Sequence, residues 1–187
     1  LEKGEETVMV TVWDTEGKTL VQNGSGRAVE LHRYDDLAVL ESGAYENGHR
    51  TGEWTGFADG PYFTETYKAG RLVSRESQDK NGEKFSYKMK YVPPVFKGGE
   101  QRLYSFLAQN INLPGDMTEG RLRVVTRFII DKEGKTDSLQ VENEAPPGAV
   151  WEASRVVNLT SGKWLPARLR GQPVKAEYTL PIAFVLK

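Results

Sequence analysis

The chain contains no cysteine, which removes disulfides, thiolate nucleophiles and zinc–thiolate sites at one stroke. Histidine is almost as scarce. His32 and His49 are the only two; they lack metal-ligand spacing and fall in a turn-rich segment, where surface or turn roles are expected. No run approaches the roughly 18 apolar residues of a membrane-spanning helix, and no charged n-region followed by an apolar h-region opens the chain. The opening LEKGEE reads as a mature or trimmed end, from which a signal or anchor is expected to have been removed. The formal net charge of -1 argues against general affinity for nucleic acid or for an acidic membrane surface. Catalytic signatures are missing too. Gly24-Ser25-Gly26 lacks the strand-to-helix setting of a nucleophile elbow, no glycine-rich phosphate loop precedes a helix, and the carboxylates look scattered, with no pair on one helix face. The expectation is a protein that is not an enzyme and takes no cofactor and no metal.

What is present points to β structure. Of 187 residues, 19 are glycine and 8 tyrosine, a bias toward strands joined by tight turns. Residues 1–93 carry 12 basic and 16 acidic side chains and residues 94–187 carry 13 and 10, so the halves differ in sign, at -4 and +3. Six dipeptides punctuate the first half: Glu16-Gly17, Asn23-Gly24, Asn47-Gly48, Asp59-Gly60, Ala69-Gly70 and Asn81-Gly82. Each supplies a residue tolerant of positive φ, as hairpin turns require. The segments between them, such as VMVTVW, WTGF and YFTETY, are rich in β-branched and aromatic residues. This half reads as an antiparallel β-meander.

Two of its hairpins look alike. SGAYENGHRTGEWTGF places Tyr45, Gly48, Gly52 and Trp54, and TETYKAGRLVSRES places Tyr67, Gly70 and Leu72. A period near 22 residues, with an aromatic before the turn glycine, resembles the MORN-type repeats of the YwqK-like variety over residues ~20–90. The pattern G-x-Y-x-N-G-x-x-x-G-x-W stands intact once, from Gly43 to Trp54. Such hairpins bury their aromatics against one another, because a lone hairpin is marginal in water.

At Tyr91-Val92-Pro93-Pro94 the pattern changes, and a boundary is placed there, giving domains 1–92 and 93–187. In EQRLYSFLAQN, Leu103, Phe106, Leu107 and Ile111 share one helical face; Pro114 forbids continuation. RLRVVTRFIID follows, with Leu122, Val124, Thr126, Phe128 and Ile130 on one side of a strand and Arg121, Arg123, Val125, Arg127 and Ile129 on the other. KTDSLQVEN returns as a more polar strand. After Pro147, Val150, Ala153, Val156 and Val157 stripe a second helix. The final segment alternates without a slip: Val174, Ala176, Tyr178, Leu180, Ile182, Phe184 and Leu186 are apolar. Pro181 interrupts it, which indicates an edge strand or a bulge. The order is αββαβ, an α+β domain with two helices on a three-stranded antiparallel sheet.

These blocks resemble the C-terminal domain family of TonB-type energy transducers, from PVFKGGEQRLYSFLAQNINLP through EGRLRVVTRFIIDKEGKTDSLQV to SGKWLPARLRGQPVKAEYTLPIAFVL. The family pattern is a GG-E helix ending in N and then P, a G-x-V-x-V-x-F-x-I-D-x-x-G hairpin, and a W-x-P-A…G-x-P-V…Y-x-L-P-x-x-F finish. The helix after Pro147 departs from it, with Trp151-Glu152 and Ser154 where D-x-E-A-x-R is usual, although Arg155 keeps the arginine. The resemblance implies a periplasmic or envelope-associated domain that takes an extended segment of an outer-membrane transporter and transmits force. On this chain the matching strand runs from Val174 to Phe184. The partner-binding residues expected from it are Val174, Lys175, Ala176, Glu177, Tyr178, Thr179 and Leu180, with Lys175, Glu177 and Thr179 facing away from the core. An edge strand presents unpaired backbone groups to which a peptide can add. The alternatives are an edge capped by the chain itself or by a homodimer, and use of the domain as a scaffold or self-association module without energy transduction. Trp54 and Trp164 are expected in cores. The Arg121, Arg123 and Arg127 row reads either as a solvated face or as a site for an acidic partner, and Arg168 and Arg170 read as exposed loop residues.

Overall fold

The computed structural model describes residues 10–58, 62–115, 117 and 120–185. Two compact units result: residues 1–90 with 170–172, and residues 91–169 with 173–187. The expected turn at Asp59-Gly60 lies outside the described residues, as do the first nine residues and Leu186.

Unit 1 is one sheet. Strands β1 (Val12–Trp13), β2 (Thr19–Gln22), β3 (Ser25–Tyr34), β4 (Leu37–Glu46), β5 (His49–Phe57), β6 (Tyr62–Lys68), β7 (Arg71–Gln78) and β8 (Lys84–Phe85) lie side by side in chain order, each antiparallel to the next. Asn23-Gly24, Asn47-Gly48 and Ala69-Gly70 all place two successive residues at positive φ, between 47° and 79°. That is the signature of the type I′ turn, whose twist suits a two-residue hairpin. A further two-residue turn, Asp35-Asp36, joins β3 to β4 with Asp35 at φ 53°; with no glycine to mark it, it leaves no turn signal in the sequence.

One face of this sheet is filled by Trp54, fully buried. The ring lies on Gly43, where an added Cβ would come within 2.3 Å of it. Tyr45 and Tyr67 meet the ring edge-on at 5.3 and 6.4 Å, its Nε1 donates to the Ala44 carbonyl at 3.1 Å, and the Arg50 guanidinium lies 3.9 Å above it. The aromatics of the two look-alike hairpins thus pack on one another, as the pattern required. The opposite face carries a cross-strand row, Leu31–Leu40–Phe57–Tyr62, whose members stay 40–57% exposed.

Unit 2 is the α+β part. Its elements are β9 (Tyr91–Val92), β10 (Val95–Phe96), α1 (Glu100–Asn110), β11 (Arg121–Ile130), β12 (Thr136–Val141), α2 (Pro147–Asn158), β13 (Trp164–Leu165), β14 (Ala167–Leu169), β15 (Gln172–Val174, of which Gln172 counts with unit 1) and β16 (Ala176–Val185). The main sheet has the order β12-β11-β16, and the αββαβ skeleton is as expected. Two small sheets that the sequence did not announce are added, β10-β13 and β15-β14-β9. Strands of two or three residues are too short to show a period.

Leu103 and Leu107 of α1, Ala149, Ala153, Val156 and Val157 of α2, and Val124, Phe128, Ile130, Leu180, Ile182 and Phe184 of the sheet form one buried cluster around Trp164. Trp164 is 1% exposed, lies 4.7 Å from Tyr178 and 5.3 Å from Phe96, and donates from Nε1 to Thr160 Oγ1 at 3.0 Å. Full burial of each large apolar side chain contributes roughly 1.5–3 kcal/mol, so this cluster holds both helices on one sheet face.

Glu152 and Arg155 of α2 stitch the helices together. The buried Glu152 carboxylate accepts from the Asn112 amide at 2.6 Å and from Arg155 Nε at 2.7 Å, while Arg155 Nη2 donates to the Asn110 carbonyl at the end of α1. Helix ends leave carbonyls without intrahelical donors, and Arg155 supplies one. Its hydrogen bond, against the opposing effect of burial, holds the Glu152 carboxyl below its ordinary range.

Candidate functional site at the rim of the C-terminal sheet

In the order β12-β11-β16, β16 is an outer strand. It pairs with β11 continuously from Ala176↔Ile130 to Val185↔Arg121, without a register break. The expected strand began at Val174. Instead Val174 closes β15, buried at 2%, Lys175 lies between the strands, and β16 starts at Ala176.

Which backbone groups face outward follows from Val125. Its amide donates to Asn143 Oδ1 at 2.7 Å, and its carbonyl accepts from the Glu142 amide at 2.9 Å. Val125 therefore turns both groups toward the β12 side and none toward Pro181, the residue opposite it in β16. In an antiparallel ladder bonded and non-bonded pairs alternate. The ladder to β11 runs through Ala176, Tyr178, Leu180, Ile182 and Phe184, and the backbone groups of Thr179, Pro181, Ala183 and Val185 turn to the rim. Thr126 Oγ1 reinforces the ladder by donating to the Leu180 carbonyl at 2.8 Å.

Side chains obey the same parity. Ala176, Leu180, Ile182 and Phe184 are buried and Tyr178 half-buried, whereas Thr179, Pro181, Ala183 and Val185 are exposed. Of the seven residues expected to bind a partner, Ala176, Tyr178 and Leu180 spend their backbone groups on β11 and their side chains on the core. Glu177 and Thr179 alone share the outward phase within β16. Pro181, Ala183 and Val185 continue that phase, and the sequence reading stopped short of them. Pro181, lacking an N–H, costs the β11 ladder nothing, because its nitrogen faces the rim.

The outer face of the sheet is cationic toward one end. Arg127 is engaged: Nε bonds Glu142 at 2.8 Å, Nη2 bonds Gln140 at 3.1 Å, and Nη1 lies 3.3 Å from Glu177. Arg121 and Arg123 are exposed and form no ion pair among the described residues. Across the ladder they stand opposite Val185 and Ala183.

A second constellation lies in unit 1, and here two expectations fail. Arg170 is fully buried, not exposed. The carboxylates are not all scattered, since Glu41 and Glu65 are both fully buried and both bind Arg170. Nε of Arg170 bonds Glu65 Oε1 at 3.0 Å, Nη2 bonds Glu41 Oε1, and the guanidinium lies 3.4 Å over Phe63. Arg50 Nη1 holds Glu41 at 2.7 Å and Nη2 holds Glu30. Lys90 Nζ lies 3.4 Å from Glu41 and 3.1 Å from Glu65. Tyr67 and Tyr87 donate to Glu65 at 2.6 and 2.8 Å, and Tyr45 donates to Glu30. His32, its side chain 38% exposed, meets Glu30 at 2.8 Å at the edge of this network.

Burial pushes the Glu41 carboxyl up, but the Arg170 and Lys90 charges and the Arg50 hydrogen bond outweigh it and hold it at about 2. Glu65 and Glu30 are lowered against the same desolvation by their tyrosine donors and cations. Tyr45, raised by burial and by its bond to Glu30, is pushed to about 12. The carboxylates stay ionised and the tyrosines protonated across the neutral range. A strand-phase reading could have found the two glutamates. Glu41 follows Leu37 and Val39 at the core-facing spacing, and Glu65 sits between Phe63 and Tyr67. Arg170 gives only the Arg170-Gly171 dipeptide, whose φ values of 48° and 83° make a tight turn.

Residues 119–186 match the model of the family described as Gram-negative bacterial TonB protein C-terminal. Over this segment the chain is similar to the C-terminal domain of TonB proteins. The match contains β11, β12, α2 and β16 and covers about a third of the chain, 68 of 187 residues. It begins after α1, and residues 94–118 lie outside it. No curated protein and no solved structure matches the chain.

Proposed function

We propose that the chain is a non-enzymatic, TonB-like protein of the periplasm or cell envelope, whose C-terminal domain binds an extended peptide by strand addition to β16, a segment of an outer-membrane transporter being the partner the family suggests. The observation that carries this is the phase of the rim. Thr179 and Ala183 direct amide and carbonyl outward beside exposed side chains, while the same strand is held on its other margin by a full ladder to β11. An incoming strand would gain main-chain hydrogen bonds without displacing anything in that ladder. The charge network supports the absence of catalysis, since its acids are ionised and its phenols protonated where a general acid or base would need to exchange protons near neutrality. The first half, with its MORN-like hairpins, serves as a spacer or second interaction surface.

The test removes rim donors in the manner of Pro181. In Thr179→Pro/Ala183→Pro, both lost N–H groups face outward, so the ladder to β11 keeps all its hydrogen bonds and the chain should still fold, while titration with transporter plug peptides should lose binding by about tenfold or more. Equal binding by the variant and the native chain would refute strand addition.

A second reading, self-association without energy transduction, is favoured by the Leu31–Leu40–Phe57–Tyr62 row. Phe57 and Tyr62 stack at 6.3 Å and remain 51% and 57% exposed. A contiguous apolar surface of this kind commonly marks an interface.

A further inference from the structure

We propose that the partner strand is acidic on its outward face where it passes Ala183 and Val185, and that Arg121 and Arg123 read those acids. The inference rests on the rim reading and deepens it by naming the chemistry of the partner.

Residues on the outer face of adjacent strands form ranks across the sheet. Arg121 ranks with Val185 and Arg123 with Ala183. These are non-bonded pairs, the closer of the two kinds, so each arginine rises directly beside its small neighbour. A strand added beyond β16 would lie two strand spacings from β11, about 9–10 Å away. Neither Ala183 nor Val185 is long enough to screen that gap, and an arginine side chain leaning over one of them meets a glutamate leaning back from the new strand. Arg127 cannot do the same. Its guanidinium is held by Glu142 and Gln140, and Glu177 stands on its rim side. The outer face is therefore graded along β16, with a carboxylate at the Glu177 end and two cations without an ion pair, among the described residues, at the Val185 end.

Such exposed charge pairs add modestly to affinity and more to the choice of partner and its register. Backbone bonding at the rim accepts any extended sequence; Arg121 and Arg123 would select among sequences.

Three acetylated nine-residue peptides test this, with threonine alternating with glutamate, glutamine or lysine, each titrated into the whole chain at low salt. The expected order of affinity is glutamate, then glutamine, then lysine, with about fivefold between the first two for two exposed pairs, and the preference should shrink as salt is raised. In Arg121→Glu/Arg123→Glu the order should reverse, and in Arg121→Gln/Arg123→Gln it should flatten with glutamine-peptide affinity unchanged. Arg127→Gln should preserve the order. If all three peptides bind alike to every arginine variant yet lose binding to Thr179→Pro/Ala183→Pro, the charge inference falls and strand addition stands. If no peptide binds the native chain at all, both fall.

Discussion

Replacing Arg170 by methionine keeps the unbranched apolar stem of the side chain and deletes its guanidinium. Glu41 and Glu65, both fully buried, then each lose a charged partner. Removing one member of a buried pair usually costs about 3–5 kcal/mol. Surviving partners moderate this: Glu41 keeps Arg50 at 2.7 Å and Lys90 at 3.4 Å, and Glu65 keeps Tyr67, Tyr87 and Lys90. The expected loss at neutral pH is therefore about 3 kcal/mol, the low end of that range. The pH dependence gives an independent check. Glu41 is held at about 2 in the folded chain, below the roughly 4.3 of an unfolded glutamate. Its ion pairs thus stabilise fully above the unfolded value and are lost as pH falls from there toward 2. In Arg170→Met that carboxylate takes up a proton more readily, so the difference between variant and native chain should narrow at pH 4 compared with pH 7. Urea unfolding at both pH values, followed by the Trp54 indole and Gly43 amide resonances, measures it. A loss below about 1 kcal/mol, or one equal at the two pH values, would refute the reasoning.

Gly43→Ala forces a Cβ to within 2.3 Å of the Trp54 ring, and Trp54 is fully buried. Overpacking of this kind costs about 1–3 kcal/mol, and urea unfolding should give at least 2, together with a shifted Trp54 indole signal. If the second functional reading is correct, the native chain should self-associate in sedimentation equilibrium and Leu40→Thr/Phe57→Thr should be monomeric; a native chain that is monomeric at every concentration removes that reading.

Much of the C-terminal architecture could be read directly from the residues. The i, i+3, i+4, i+8 spacing of Leu103, Phe106, Leu107 and Ile111 outlines α1, and strict alternation outlines β11 and most of β16. These elements bury one face against one core, so a single physical demand writes their pattern. Val174 misled because it continues the alternation of β16 while serving β15: two strands that meet at Lys175 happen to share a phase. Arg170 was misread because a charged residue in a short Arg-Gly turn is ordinarily solvated, and its carboxylate partners lie 129 and 105 positions away. Only the fold brings them together. The outward phase of the rim was half legible: Pro181 marked an edge, but the margin its nitrogen faces depended on the hydrogen bonds of Val125 on the neighbouring strand β11.

Amide hydrogen exchange along β16 tests the central claim most directly. In the free chain, Thr179, Ala183 and Val185 should exchange quickly while Leu180, Ile182 and Phe184 are protected by β11. On addition of an extended peptide, the three fast amides should become slow. Protection of Thr179 and Ala183 already present in the free monomer would mean that the rim is closed and would contradict the account.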